Sequence, residues 1–245
     1  MKPGSLARCR SAFLLCYLPA LWVFVLAALS VCLPAGARAQ ASPAWEDTFV
    51  SRLEALALMQ SLNAEILASP SATLTLEKWC RDHKLAEDPT IVARLMRGVD
   101  KSATAEQRRR LRVTDREPVK HRRVQLRCGE QVLSEADNWY VPGRLTAEMN
   151  RRLETTDAPF GKVVQPLEPS RQTFAVRILW SPLPDGWERG APGRPPALPS
   201  THLVFPDALF EHRAILYTRD HQPFSEVDEV YQRQILAFPQ PHADR

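Results

Sequence analysis

Residues 121–161 read HRRVQLRCGEQVLSEADNWYVPGRLTAEMNRRLETTDAPFG. The segment predicts a strand carrying Arg122 and Arg123, a turn at Cys128-Gly129-Glu130, and a return strand from Val132 to Val141 that Pro142 stops. A helical segment from Leu145 to Leu153 follows, and the stretch closes at Pro159-Phe160-Gly161. An arginine on a central strand beside a glycine-containing turn is a candidate receptor for a small carboxylic acid.

The chain has 245 residues, enough for one sizeable domain or two small ones. Its 44% hydrophobic and 24% charged residues are those of an ordinary globular protein. The first 39 residues are set apart. Lys2, Arg8 and Arg10 form a positive start, Ala12 to Leu33 is almost wholly apolar, and Ala37-Arg38-Ala39 offers a small-residue cleavage site. That is the pattern of a secretory signal peptide, with a retained anchor as the alternative. The expectation is a signal peptide over 1–39, a single domain over 40–245 in the periplasm or outside the cell, and no membrane association after cleavage.

Removing that segment changes the charge argument. Lys2, Arg8, Arg10 and Arg38 leave with it, so the 32 basic residues fall to 28 against 28 acidic. The apparent basicity is then a targeting feature, and no nucleic-acid partner is expected. Cys9, Cys16 and Cys32 also lie near the start, leaving Cys80 and Cys128. These two either pair in an oxidising compartment or stay as separate buried thiols. The six histidines are scattered without ligand spacing, so no metal and no cofactor are expected.

Further along, Thr48 to Ala68 predicts a helix with Val50, Leu53, Leu56, Ala57 and Leu67 on or near one face. Thr73-Leu74-Thr75-Leu76 alternates as a short strand. Pro89 to Arg97 reads as a helix capped by Asp88 and ended by Gly98. Arg108-Arg109-Arg110, flanked by acids and without interleaved aromatics, reads as a solvated surface. Arg171 to Trp180 predicts a strand with Phe174, Val176, Ile178 and Trp180 on one face. Residues 181–200, with six prolines and three glycines, read as a surface loop. Leu209 to Thr218 and Phe224 to Tyr231 form a closing hairpin whose return strand carries Glu226, Asp228 and Glu229. There is no phosphate-binding loop, dinucleotide fingerprint or serine-hydrolase elbow.

Several of these segments together resemble the chorismate lyase family, whose domain is related to the ligand-binding domain of some bacterial transcription regulators. The resemblance rests on Arg123-Val-Gln-Leu-Arg-Cys128, Asn138-Trp-Tyr-Val-Pro142 and Ala158-Pro159-Phe160-Gly161. It extends to Ser61-Leu62-Asn63 and to His212-Arg213-Ala214 through Glu229-Val230-Tyr231. It implies an α+β fold: a single antiparallel sheet, helices on one side, enclosing a pocket for a small aromatic or cyclic carboxylic acid. By motif, Arg123 clamps the ligand carboxylate, Leu62 lines the apolar wall, and Phe160 and Gly161 add a backbone donor. An acid on the last strand meets the ligand's far end. Counting from Pro223 selects Asp228; matching the acid–aliphatic–aromatic order selects Glu229, the preferred of the two. In a closed apolar pocket such an acid would have a raised pKa suited to proton transfer.

Three departures bear on function. Asn138 stands where the family often has a second arginine, residues 181–200 are extra, and chorismate is a cytoplasmic metabolite while this chain carries an export pattern. Three readings follow. One is an exported chorismate-lyase-like protein that binds a small cyclic acid and eliminates pyruvate from chorismate to give 4-hydroxybenzoate. Another is a non-catalytic periplasmic binding or sensing domain on the same scaffold. The third is a structural envelope protein whose Arg123 is salt-bridged. The chain is expected to be monomeric in each.

Overall fold

The computed structural model describes residues 44–190 and 201–241. The expected signal segment over 1–39 and the second half of the 181–200 loop lie outside the described residues. Among those described, the helices and strands run α1 (Phe49–Ala68), α2 (Ala72–Asp82), β1 (Ile91–Leu95), α3 (Ala105–Leu111), β2 (Lys120–Cys128), β3 (Gln131–Tyr140), α4 (Ala147–Thr155), α5 (Phe160–Val163), β4 (Ser170–Ile178), β5 (Ala208–Tyr217) and β6 (Pro223–Gln232). The strands form one antiparallel sheet in the order β1-β2-β3-β6-β5-β4. The fold is α+β, as the sequence indicated.

The β2–β3 hairpin turns at Gly129, whose φ is +53°. A Cβ there would also meet the Ala86 side chain at 2.9 Å, so glycine is required on both counts. From this hairpin the register propagates by direct pairing. Arg123 faces Asp137, which faces Asp228, which faces Arg213. One residue away, Arg122 faces Asn138, which faces Val227, which faces Ala214. Successive side chains on a strand point to opposite faces, so these two rows lie on opposite sides of the sheet.

The face bearing Arg122 is covered. Met59, Leu62 and Ile66 of α1 and Leu76, Trp79 and Cys80 of α2 pack with Ala93, Val124, Leu126, Ala136, Phe210 and Tyr231 in the main core. Met149 and Leu153 of α4, with Phe160 and Val163 of α5, pack with Tyr140, Leu216, Phe224 and Val227 in a second cluster. The opposite face is laced with ion pairs and carries a smaller cluster of Leu111, Trp139 and Val141 beneath α3. Arg110 of that helix bonds Glu226 at 2.6 and 2.8 Å, so the helices are not all on one side.

Several expectations change. Thr73 to Leu76 is the first turn of α2 rather than a strand: Ser71 Oγ accepts from the Leu74 N–H, and the burial of Thr73, Leu76 and Cys80 follows helical spacing. Four alternating residues are too few to separate the two periods. Pro89 to Arg97 contains strand β1, not a helix. Ile91 and Ala93 are buried while Val92 is exposed, and Asp88 accepts from the Thr90 N–H in a local turn. In α1 the buried positions are Ser51, Ala55, Met59, Leu62 and Ile66; Val50, Leu53 and Leu67 are exposed. A register shift between Thr173 and Ala175 breaks the alternation of β4, and Phe174 lies under the Arg110 guanidinium at 4.8 Å.

The two cysteines left open by the sequence are bonded, joining α2 to the end of β2 across 48 residues of chain with a Cα separation of 6.3 Å. Both are fully buried. Reduction under conditions that open the fold is expected to lower unfolding stability by roughly 2–4 kcal/mol. Chemical denaturation of the oxidised protein and of Cys80→Ala/Cys128→Ala checks this; coincident curves would contradict it.

Candidate small-ligand site

A cavity lies where the two apolar clusters of the covered face meet. Its apolar lining comes from Val124, Leu126, Ala136, Phe160, Leu216 and Val227, and its polar lining from Ser71, Thr73, Arg122, Asn138, Arg171 and Glu229. The cavity measures about 50 Å³. An aromatic ring needs more, since a benzene-binding protein cavity is roughly 150 Å³. A carboxylate group therefore fits as the walls stand, while a ring requires them to move or projects toward the mouth.

Arg122 decides the chemistry of the floor. Its residue is only 4% exposed. One guanidinium nitrogen, Nη2, donates to the Ala158 carbonyl at 3.0 Å. Nε and Nη1 are buried with no acceptor. Burial pulls the Arg122 pKa below its ordinary value, with the charges of Tyr140 and Asp157 opposing more weakly. An arginine stays protonated regardless. The result is a buried cation with two idle donors beside a cavity, and a buried donor left unsatisfied costs about 1–3 kcal/mol.

Across the cavity stands a second polar group. Arg171 Nη2 donates to Glu229 Oε2 at 2.6 Å, and the Tyr231 hydroxyl donates to the same oxygen at 3.0 Å. His212 faces Glu229 directly in the β5–β6 register and shares a 2.7 Å hydrogen bond with Asn63 Oδ1. Burial lowers the His212 pKa to about 4; the Glu229 charge raises it and the Arg171 charge lowers it further. Burial, with the Glu229 charge, pushes the Tyr231 hydroxyl well above its ordinary range. At the near end, Gly161 of α5 approaches the α2 start so closely that a Cβ would meet Ser71 Oγ at 2.9 Å and Thr73 Oγ1 at 3.1 Å.

The residues singled out from sequence are thus divided. Glu229, Phe160 and Gly161 line the cavity. Arg123 does not: it lies on the opposite face, bonded to Glu135 at 2.9 Å and to Asp137 at 3.4 Å. Asp228 is on that face too, held by Arg213 at 2.7 and 3.0 Å. Leu62 is fully buried in the α1 core and does not line the cavity. Glu229 is not an acid alone in an apolar hollow, because Arg171 and Tyr231 both reach its carboxylate. The sequence reading missed Arg122 and Arg171. The signal for Arg122 was present: Arg122, Val124, Leu126 and Cys128 alternate with polar neighbours and share the buried face. Among the described residues no group of histidine, cysteine, aspartate or glutamate is placed to hold a metal ion, and no helix is long and apolar enough to cross a membrane.

No family model matches the chain. It is 49% identical over 198 residues to "Uncharacterized protein y4mC" of Sinorhizobium fredii (strain NBRC 101917 / NGR234), covering 80% of this chain and 83% of that protein. Among solved structures it is similar to the effector domain of PhnF from Mycobacterium smegmatis, at 13% identity and a TM-score of 0.42 over 67% of this chain and 89% of that one. It is also similar to a "possible transcriptional regulator", YydK of Bacillus subtilis, at 14% identity and a TM-score of 0.35 over 58% of each chain. The match thus spans little more than half of YydK's length. Likenesses of that extent carry no functional argument.

The buried neutral His212 has a consequence for stability. Its folded pKa lies below the unfolded value of 6.5. The unfolded chain therefore takes up the proton first, and stability present above pH 6.5 is lost as pH falls toward 4. Comparing the pH dependence of unfolding free energy in wild type and His212→Gln is expected to show a difference on the order of 3 kcal/mol accumulating across that window. Parallel profiles would contradict it.

Proposed function

We propose that this chain, which belongs to one family with the Sinorhizobium fredii protein y4mC, is a receptor for a small carboxylic acid. The observation that carries the reading is Arg122, a buried cation at a cavity with two donor nitrogens unused. A carboxylate supplies the missing charge and the missing acceptors together, and hydrogen bonds between ionised groups are stronger than neutral ones. The apolar walls from Val124, Leu126 and Phe160 accept the carbon skeleton of the acid.

Binding is preferred to catalysis because of Glu229. Eliminating pyruvate from chorismate asks for a group that moves a proton at the far end of the ligand. Glu229 is in position, yet its carboxylate accepts from both Arg171 and Tyr231, which suits a fixed charge that orients a ligand hydroxyl. An exported protein fits this role. The signal-like pattern before Gln40 and the buried Cys80–Cys128 bond support that placement. In fractionated cells the protein is expected in the periplasm with the mass of a chain beginning at Gln40; protein found only in the cytoplasm, with the mass of the chain from Met1, would contradict export.

Calorimetric titration with acids of rising size, lactate and then 4-hydroxybenzoate, tests the receptor. At least one binds wild type, and none of the protein converts chorismate to 4-hydroxybenzoate. Arg122→Met weakens binding by about 10- to 100-fold, the loss of one charged hydrogen-bonding partner. The same substitution raises the melting temperature of the free protein by a few degrees, because it removes an unsatisfied buried cation and keeps the aliphatic stem. Arg123→Ala leaves binding within about twofold, its ion pairs being partly exposed. Equal losses from both substitutions, or steady product formation from chorismate, would overturn the reading.

A further inference from the structure

Asn138 stands directly across from Arg122 in the β2–β3 register and lines the same cavity. Directly opposed side chains approach to about 5 Å at Cβ, which brings both residues to one wall of the cavity. Asn138 Oδ1 accepts a 2.7 Å hydrogen bond from Ser225 Oγ. Ser225 is fully buried and is not part of the cavity lining. That bond occupies the amide oxygen and leaves the amide nitrogen as the free end. Asn138 Nδ2 has no acceptor among the described residues, and Asn138 lines the cavity.

We propose that Asn138, oriented by Ser225, determines specificity at the cavity, selecting a singly charged carboxylate over the corresponding neutral amide and over a doubly charged anion. The inference rests on the acid-receptor reading and names what decides which anion is held. Beside Arg122, Asn138 supplies a donor that carries no charge. A carboxylate presents acceptors to both groups. An amide presents an N–H₂ group in place of one oxygen, which meets Asn138 Nδ2 donor to donor or leaves a donor idle.

The charge balance selects against a dianion. Three charged side chains line the cavity: Arg122, Arg171 and Glu229. Arg171 and Glu229 offset one another through their 2.6 Å contact, leaving the single positive charge of Arg122. One negative charge on the ligand neutralises the site. A second would be buried without a counter-ion, which is unfavourable beside the buried walls of the cavity. Ser225 is accordingly a positioning residue: it fixes which end of the Asn138 amide the ligand meets.

The test is a comparison of ratios. Lactate with lactamide, and 4-hydroxybenzoate with 4-hydroxybenzamide, are titrated into wild type, Ser225→Ala, Ser225→Thr and Asn138→Asp, with sulfate as the dianion. Wild type is expected to bind an acid at least 30-fold tighter than its amide, and tighter than sulfate. Ser225→Ala frees the amide to turn and lowers the acid-to-amide ratio about tenfold, while Ser225→Thr keeps the hydroxyl and restores it. Asn138→Asp places a carboxylate against the ligand and inverts the ratio, an outcome that reads the role of Asn138 even if Ser225→Ala fails to fold. A Ser225→Ala protein that loses affinity for acid and amide equally, an Asn138→Asp protein that still prefers the acid, or a wild type that holds sulfate more tightly overturns the proposal. A wild type that binds neither acid overturns the receptor reading itself, and this inference with it.

Discussion

The period-two alternation of β2 is the constraint on which the site depends. Arg122 belongs with Val124, Leu126 and Cys128 on the face that α1, α2 and α5 cover, while Arg123 belongs with Gln125 and Arg127 on the other. Sliding the strand by one residue would carry Val124 and Leu126 into water and draw Arg123, Gln125 and Arg127 into the core. The burial of two aliphatic side chains, each worth about 1.5–3 kcal/mol, therefore fixes which arginine enters the interior. The remainder of the site follows by pairing: Asn138 opposite Arg122, and Glu229 one row away opposite Ala136 and His212.

Two buried arginines with different circumstances give the cavity its polarity. Arg171 has its counter-charge in Glu229, which in turn is held by the Tyr231 hydroxyl. Arg122 has only the Ala158 carbonyl, and that through one nitrogen. Arg171 thus has a counter-ion although its Nε is also buried without an acceptor, whereas Arg122 has no counter-ion among the described residues and two such nitrogens. Polar groups left unsatisfied in an interior are destabilising, and proteins concentrate such features where a ligand completes them. The disulfide contributes at the scale of the wall. It ties α2, whose N-cap Ser71 and first residues Ala72 and Thr73 line the cavity, to the strand that carries Arg122.

The hairpin of β2 and β3 and the closing hairpin of β5 and β6 were legible from alternation and marked turns, the long first helix from its helical periodicity, and the α+β class from the resemblance to the chorismate lyase family. The failures share a cause. Thr73 to Leu76 and Pro89 to Arg97 are short segments in which local signals compete, and tertiary packing settled both: α2 against the sheet, β1 against β2. Arg123 was selected by motif spacing, although the alternation of its own strand pointed to Arg122. The partnership of Glu229 with Arg171 joins residues 58 positions apart through the β4–β5–β6 pairing. No local pattern encodes such a contact, so the neighbour that changes the character of Glu229 could not be read from the chain. The bond between Cys80 and Cys128 stayed open for the same reason, since it depends on how α2 lies over β2.

The most direct measurement is a crystal structure of the protein soaked with the tightest-binding acid of the lactate and 4-hydroxybenzoate pair. The carboxylate oxygens are expected within about 3 Å of Arg122 Nε or Nη1 and of Asn138 Nδ2, with the Arg171–Glu229 contact intact. A ligand bound elsewhere, or an Arg122 side chain turned out of the cavity to pair with Asp157, would contradict the assignment of Arg122 as the anion receptor.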